Sequence, residues 1–206
     1  MFFHPQRNLL IALAALIVAA GCGEPVKVPT SYAKWTPEGG TIFHIDYPEG
    51  WNADGGGKTP IQWAEFKKSG CLIKCSTNIS TSAVGDIAGT TSSLLDGDEG
   101  LSQQQKEDLA PAAAAHKWPL NIDTVKEDYS GYKEEKQPIA FNSGLGDARK
   151  SIFTASAMGR RVKGYRATFL ARDYGIIVVC HCSEKDFEKM QPAFDKVLES
   201  VRHGGS

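Results

Sequence analysis

Four of the five cysteines in this 206-residue chain fall in two close groups, Cys71-x3-Cys75 and Cys180-x-Cys182. On β-strands each group lies on one face, Cys71 and Cys75 with Ile73, Cys180 and Cys182 with Ile176 and Val178. Four strand residues span about 13 Å and two span about 6.6 Å with parallel side chains, so strand geometry disfavours bonding within either group. Three chemistries stay open between the groups. A disulfide from Cys71 or Cys75 to Cys180 or Cys182 would close a loop of roughly 100 residues, which the chain-entropy view makes strongly stabilising. Alternatively the four are buried thiols acting as small core residues. The third is a thiol- or metal-dependent redox protein or enzyme built on the cluster. Zinc favours four thiolates, but its usual Cys-x2-Cys knuckles sit on tight turns and not on strand spacings.

Other reactive side chains are sparser. His44 and Asp46 would share a strand face, where they could hold a cation or act as a base with its orienter, although a solvent-facing pair on a half-buried strand is the better reading. His116, near an expected helix end, would complete a C-terminus, its charge interacting favourably with the dipole. Gly55-Gly56-Gly57-Lys58-Thr59 lacks the earlier glycine of a phosphate loop, since Asn52 stands there, and Pro60 follows where a helix should start. It reads as a hairpin loop. Neither a Gly-x-Ser-x-Gly elbow nor a His-Glu-x-x-His pair occurs. No catalytic residue, metal site or cofactor is assigned.

Charge is balanced overall, 23 Lys and Arg against 24 Asp and Glu, which argues against a nucleic-acid partner. It is uneven locally. Residues 149–173 carry seven basic side chains against Asp173, while residues 96–135 carry ten acids against four lysines. The two regions could face each other within the fold. Otherwise Arg160, Arg161 and Lys163, on a turn, would be free to meet anionic headgroups or an acidic partner.

The N-terminus places the chain. Arg7 precedes an uncharged apolar run from Leu9 to Ala20, 12 residues, too short to span a bilayer but suited to a signal peptide. Val18-Ala19-Ala20-Gly21-Cys22 resembles a bacterial lipobox, whose cysteine takes diacylglycerol and becomes the first residue after cleavage. More than one acyl chain gives stable anchoring. Gly23, and not Asp, follows, which by resemblance to enterobacterial sorting permits outer-membrane delivery. The expected organisation is a signal peptide over residues 1–21, a flexible tether over 22–39 containing Pro25, Pro29 and Pro37, a domain over 40–202 and a tail over 203–206.

Period-2 alternation predicts a strand over Thr41–Tyr47, ended by the turn Pro48-Glu49-Gly50, and further strands at Gln62–Lys67 and Cys71–Ser80. A polar, glycine-rich stretch follows from Gly85 to Gly100. Ser102 and Gln105 could open a helix reaching His116, with Pro111 in its middle. Strands are expected at Ile122–Lys133, Arg149–Ala157, Arg161–Ala171 and Gly175–Cys182, the last three joined by hairpins. Ser183 would cap a closing helix with Phe187, Met190, Phe194, Val197, Leu198 and Val201 on one stripe, kinked or divided at Pro192. The fold class is α+β, a mostly antiparallel sheet flanked by helices.

Phe43-His44-Ile45-Asp46-Tyr47-Pro48-Glu49-Gly50-Trp51 resembles the opening strand and turn of PsbP-like domains. Phe187, Phe194 and Leu198-Glu199-Ser200-Val201 resemble their closing helix. The resemblance implies a PsbP-like layered domain in a superfamily of photosystem accessory proteins, a nuclear-transport factor and many bacterial lipoproteins of unknown role, whose members generally bind and do not catalyse. It transfers no binding residue. The expected protein is a lipid-anchored lipoprotein of the bacterial envelope, periplasm-facing or at the outer membrane. It would hold the membrane through Cys22 and act as a non-catalytic binding or structural module toward an envelope protein or ligand that the sequence does not identify.

Overall fold

The computed structural model describes residues 25–37, 41–58, 61–79, 111–117, 128–135, 137–171 and 174–204. The expected signal segment, Cys22, the stretch 85–100 and the helix start expected at Ser102 and Gln105 lie outside these residues.

In chain order the strands are β1 (Tyr32–Lys34), β2 (Phe43–His44), β3 (Asp46–Pro48), β4 (Asn52–Lys58), β5 (Ile61–Lys68), β6 (Cys71–Ile79), β7 (Ser130–Glu134), β8 (Ile139–Ser143), β9 (Gly146–Ala157), β10 (Arg160–Leu170), β11 (Gly175–Ser183) and β12 (Arg202–His203). Two helices, α1 (Pro111–Lys117) and α2 (Phe187–Glu199), complete the described elements, with a 3-10 turn over Glu184–Asp186 leading into α2. Eight strands form one antiparallel sheet in the order β4-β5-β6-β11-β10-β9-β7, with β8 pairing the other half of the long β9. The class is α+β, as the strand and helix pattern implies.

The interior strands β9, β10 and β11 join through the tight connections the sequence announces. At Met158-Gly159 both residues adopt positive φ, 49° and 73°, the conformation a two-residue hairpin needs to follow strand twist. On α2, Phe187, Met190, Ala193, Phe194, Val197 and Leu198 are buried. They meet Phe66, Ile73, Tyr165, Phe169 and the four strand cysteines in one core. At about 1.5–3 kcal/mol for each large buried side chain, this helix face supplies a gross stabilisation of order 10 kcal/mol. Its end is tied down: Ser200 Oγ donates to Val197 O (2.6 Å) and accepts from the Asp46 amide (2.9 Å).

Several expectations are corrected. The strand expected over Thr41–Tyr47 is two short pieces with Ile45 fully buried between them; β2 pairs β12 and β3 pairs β1. The glycine-rich segment is not a loop but the edge strand β4, running beside β5. Trp35 explains Gly55: a Cβ there would lie 2.7 Å from Trp35 Cζ2 and 2.8 Å from Trp63 O, so only glycine lets the edge pass at that position. α2 continues through Pro192 undivided. Ser183 does not cap it, because the 3-10 turn intervenes and the Ser183 hydroxyl donates to the Asp186 carboxylate. The strand β8 went unannounced. Residues 203 and 204, expected in a tail, are part of the fold, Gly204 N donating to Ile42 O at 2.8 Å.

The N-terminal arm is the largest departure. Residues 25–37, expected within a flexible tether, lie on the domain. Val26 and Trp35 are buried, β1 pairs β3, and Trp35 N donates to Ile45 O at 3.0 Å. A stretch rich in proline can still pack when apolar side chains punctuate it, and Trp35 stacks on Phe43 with ring centroids 5.2 Å apart.

Candidate functional site

Three clusters draw together the residues that could do chemistry. The first lies at the end of the sheet where the β9–β10 turn, the β5–β6 turn and the exit of β11 meet. A groove of about 870 Å³ opens there, of a size that small ligands occupy. Arg160, Arg161, Lys185 and Lys189 line it, with Val26 of the arm and the side chain of Met158, which is 100% exposed. His181 also lines it, 6% exposed, and its Nδ1 has no hydrogen-bond partner among the described residues. Burial pushes the His181 pKa down to about 4, so the ring is neutral at physiological pH. Lys189 Nζ donates to Val26 O at 2.5 Å and so fastens the arm to the groove wall.

The three basic residues singled out from sequence do not form one unpaired patch, and this corrects the expectation. Lys163 points to the α2 side, 3.6 Å from Glu135 and over the Phe187 ring at 5.3 Å. Arg161 pairs with Glu184 at 3.0 Å. That pair is exposed, 70% and 46%, so it contributes about 0–1 kcal/mol and exchanges easily for another anion. Arg160 and Lys185 have no ion-pair partner among the described residues. All three lie on β10, where alternation sends Arg160 to the face opposite Arg161 and Lys163.

The second cluster is the cysteine face. β6 and β11 are neighbours, and Cys71, Cys75, Cys180 and Cys182 all enter the same core as free thiols, at most 3% exposed. The shared faces expected from spacing are observed. Burial raises the pKa of Cys75 and of Cys180, and a hydrogen bond with Cys71 together with burial raises that of Cys182. A nucleophilic or metal-binding thiol needs the opposite shift. Among the described residues no group of three or more His, Cys, Asp or Glu side chains is placed to hold a metal ion.

The third cluster was not foreseen. Under α1, His116 Nε2 lies 2.7 Å from Ser151 Oγ and Nδ1 lies 3.0 Å from Thr168 Oγ1. Arg166, 1% exposed, donates from Nη2 to His116 O (2.9 Å) and to Glu134 Oε2 (3.1 Å), while its Nε donates to Glu134 Oε1, which also accepts from Tyr132 OH. His116 does not carry a charge to a helix dipole. Burial, aided by Arg166, Arg149 and Lys117, pushes its pKa down to about 2. Glu134 goes the other way: burial opposes its charge, but the Arg166 bonds outweigh that and lower its pKa. A serine beside an imidazole suggests nucleophilic chemistry, yet both are 1% exposed and sealed from any substrate. The arrangement clips α1 to the sheet. The acidic 96–135 and basic 149–173 regions therefore do face each other in part, through Arg166–Glu134 and Lys163–Glu135.

His44 and Asp46 make no site. They sit on different short strands, and Asp46 is engaged by Arg202 at 2.9 Å. Burial, then Lys34 and Arg202, lowers the His44 pKa.

No protein-family profile matches the sequence, and no curated protein is similar to it. Solved structures are. Cyanobacterial PsbP (CyanoP) from Synechocystis sp. PCC 6803 superposes over 90% of this chain and 99% of its own with a TM-score of 0.52 at 10% identity. A Pseudomonas aeruginosa protein of unknown function, PA94, covers 82% of this chain and 94% of its own, with TM-score 0.40 and 12% identity. LpqN, involved in cell envelope biogenesis of Mycobacterium tuberculosis, covers 85% and 91%, with TM-score 0.35 and 8% identity. The last two overlaps are too loose to bear on fold or role. The first, with the element order and sheet topology above, gives the chain a PsbP-like α+β fold.

Proposed function

We propose that the chain is a lipid-anchored envelope lipoprotein, a non-catalytic binding module held so that the basic groove faces the bilayer. The observation that carries this reading is the course of the arm. Pro25 and Val26 line the groove beside Arg160 and Lys185, and only three chain steps separate Pro25 from Cys22. Three steps reach at most about 11 Å, comparable to the Debye length of about 8 Å at physiological salt. An acylated Cys22 would therefore hold the groove within electrostatic range of the headgroups. Among the described residues no helix is long and apolar enough to cross a membrane, so the contact rests on the acyl chains and this surface. Met158, fully exposed in a left-handed conformation between the two strands, supplies an apolar tip beside two arginines. Buried cysteines and a buried Ser151–His116 pair favour binding over catalysis.

Intact mass of the protein extracted from membranes tests the anchor: the expected species begins at Cys22 and carries acyl chains, and an unmodified Cys22 contradicts it. For the surface, the chain starting at residue 22 with Cys22→Ser is mixed with phosphatidylglycerol vesicles. Each basic residue near an anionic surface contributes about 1 kcal/mol, so Arg160→Glu, a change of two charge units, should weaken binding about thirtyfold. Lys163→Glu, on the other face, should leave it within about twofold. Equal effects of the two would contradict the proposed orientation.

A further inference from the structure

We infer that Cys71 and Cys182 form a disulfide while Cys75 and Cys180 remain thiols. β11 pairs β6 with Ile73 opposite Cys180 and Leu72 opposite His181. One further step along the antiparallel ladder sets Cys71 opposite Cys182. Directly opposed residues have Cα atoms about 4.5 or 5.5 Å apart, and both values fall in the range of about 4.4–6.8 Å that disulfides adopt. The two thiols are already in contact through a hydrogen bond. Every other pairing fails on register. Cys75 stands opposite Val178, which leaves Cys75 diagonal to Cys180. Cys71 is likewise diagonal to Cys180. Diagonal neighbours lie about 7 Å apart, against about 3.8 Å between the Cβ atoms of a bridge. Cys75 and Cys182 are four positions out of step. Of the four bridges that the sequence leaves open, the sheet permits one.

The chemistry requires an acceptor, which we name as an external disulfide reaching the chain by thiol–disulfide exchange. One thiol of the pair loses its proton and attacks the external disulfide, releasing one thiol and forming a mixed disulfide. The other then attacks the protein sulfur of that mixed species, forming the Cys71–Cys182 bond and releasing the second thiol. Two electrons pass to the acceptor, and the protons leaving the protein are taken up by its products. Cys71 and Cys182 are 3% and 0% exposed, so an external disulfide cannot approach them in the folded sheet. Oxidation therefore accompanies folding, before β6 and β11 close. The bridge would staple the central strand pair and leave two apolar thiols in the core.

The inference is independent of the lipid anchor and is tested without it. The full chain in detergent is denatured and reduced, refolded in a buffer of reduced and oxidised glutathione, quenched by alkylation and digested without reductant. More than half of the molecules should yield a Cys71–Cys182 cross-linked peptide two mass units below the sum of its reduced halves, with Cys75 and Cys180 alkylated. Cys75→Ser and Cys180→Ser should keep the cross-link; Cys71→Ser and Cys182→Ser should each abolish it. The refolded protein should melt about 10 °C higher before reduction than after. Alkylation of all four of Cys71, Cys75, Cys180 and Cys182 after refolding, or a bridge that includes Cys75 or Cys180, overturns the inference, and because the cross-link is read on the wild-type chain the test does not depend on any variant folding.

Discussion

The two faces of the central sheet solve the same packing problem by opposite means. Toward α2 the sheet presents Ala64, Phe66, Ile73, Tyr165, Phe169 and thiols, and the contact is one of area, with the Lys150–Asp195 pair (2.6 Å) at its rim. Toward α1 it presents Arg166, Thr168, Ser151 and, nearer the groove, His181 beside Tyr129, with apolar residues such as Phe153 and Val162 between them. Area is additive and forgiving, whereas a closed polar network is all or nothing, since each deletion orphans a buried partner. The seven described residues of α1 have little apolar surface of their own, being mainly alanine, and hydrogen bonds through His116 substitute for it.

That contrast can be broken most sharply at Arg166. Arg166→Met should destabilise by about 3–5 kcal/mol, because Glu134 and the His116 carbonyl lose their buried donor. Adding Glu134→Leu should recover a good part of that loss, as replacing both members of a buried pair often does. Urea unfolding of the two variants is the measurement. On the α2 face Phe194→Ala should cost about as much as Arg166→Met, with no second-site rescue of this kind.

Acid should separate the faces next. His181 and His116 have folded pKa values near 4 and 2, below the free value of 6.5, so the fold favours their neutral forms. Their contribution is present in full above pH 6.5 and is lost as pH falls, for His181 down to about pH 4 and for His116 further still. Each adds a slope of roughly 1.4 kcal/mol per pH unit, so the two together should cost about 3 kcal/mol between pH 6 and 5. His181→Phe should remove about half of that slope. The buried thiols of Cys75 and Cys180, raised in pKa, stay protonated throughout this window and contribute none of it.

A smaller effect is expected within the thiol face. Cys75→Ser places a hydroxyl in a fully buried apolar site and should cost about 1–3 kcal/mol, whereas Cys75→Ala should cost less. Equal losses, measured by urea midpoint, would show that volume and not polarity governs this face.

What the sequence made legible follows the same division. The strands β9 to β11 and the stripe on α2 are visible because apolar periodicity records area directly. For that reason both cysteine groups could be placed on strands, although that these strands are neighbours appears only in the sheet order. The network under α1 was hidden, since Arg166 in a run of basic residues looks like surface charge until Glu134, distant in sequence, is set beside it. β4 was masked by its glycines, of which Gly55 answers to Trp35 and Gly57 to a positive φ against the Ile61 carbonyl. The strand β8 is short and follows Pro138, and β12 is two residues long; neither offers a period to read. At the groove, Arg160 and Arg161 were marked by charge, but Lys185, Lys189 and His181 come from the closing elements and meet them only in three dimensions.

The orientation of the groove toward the membrane is tested most directly by the two ends of β9. A photo-cross-linking residue in place of Met158 marks the groove end, and one in place of Asn142, which pairs with Asp147 at the far end, serves as its control. In membranes containing the acylated chain, illumination should attach phospholipid at position 158 and not at position 142. Equal labelling at both positions, or labelling at 142 alone, would contradict an anchored module that holds its basic groove against the bilayer.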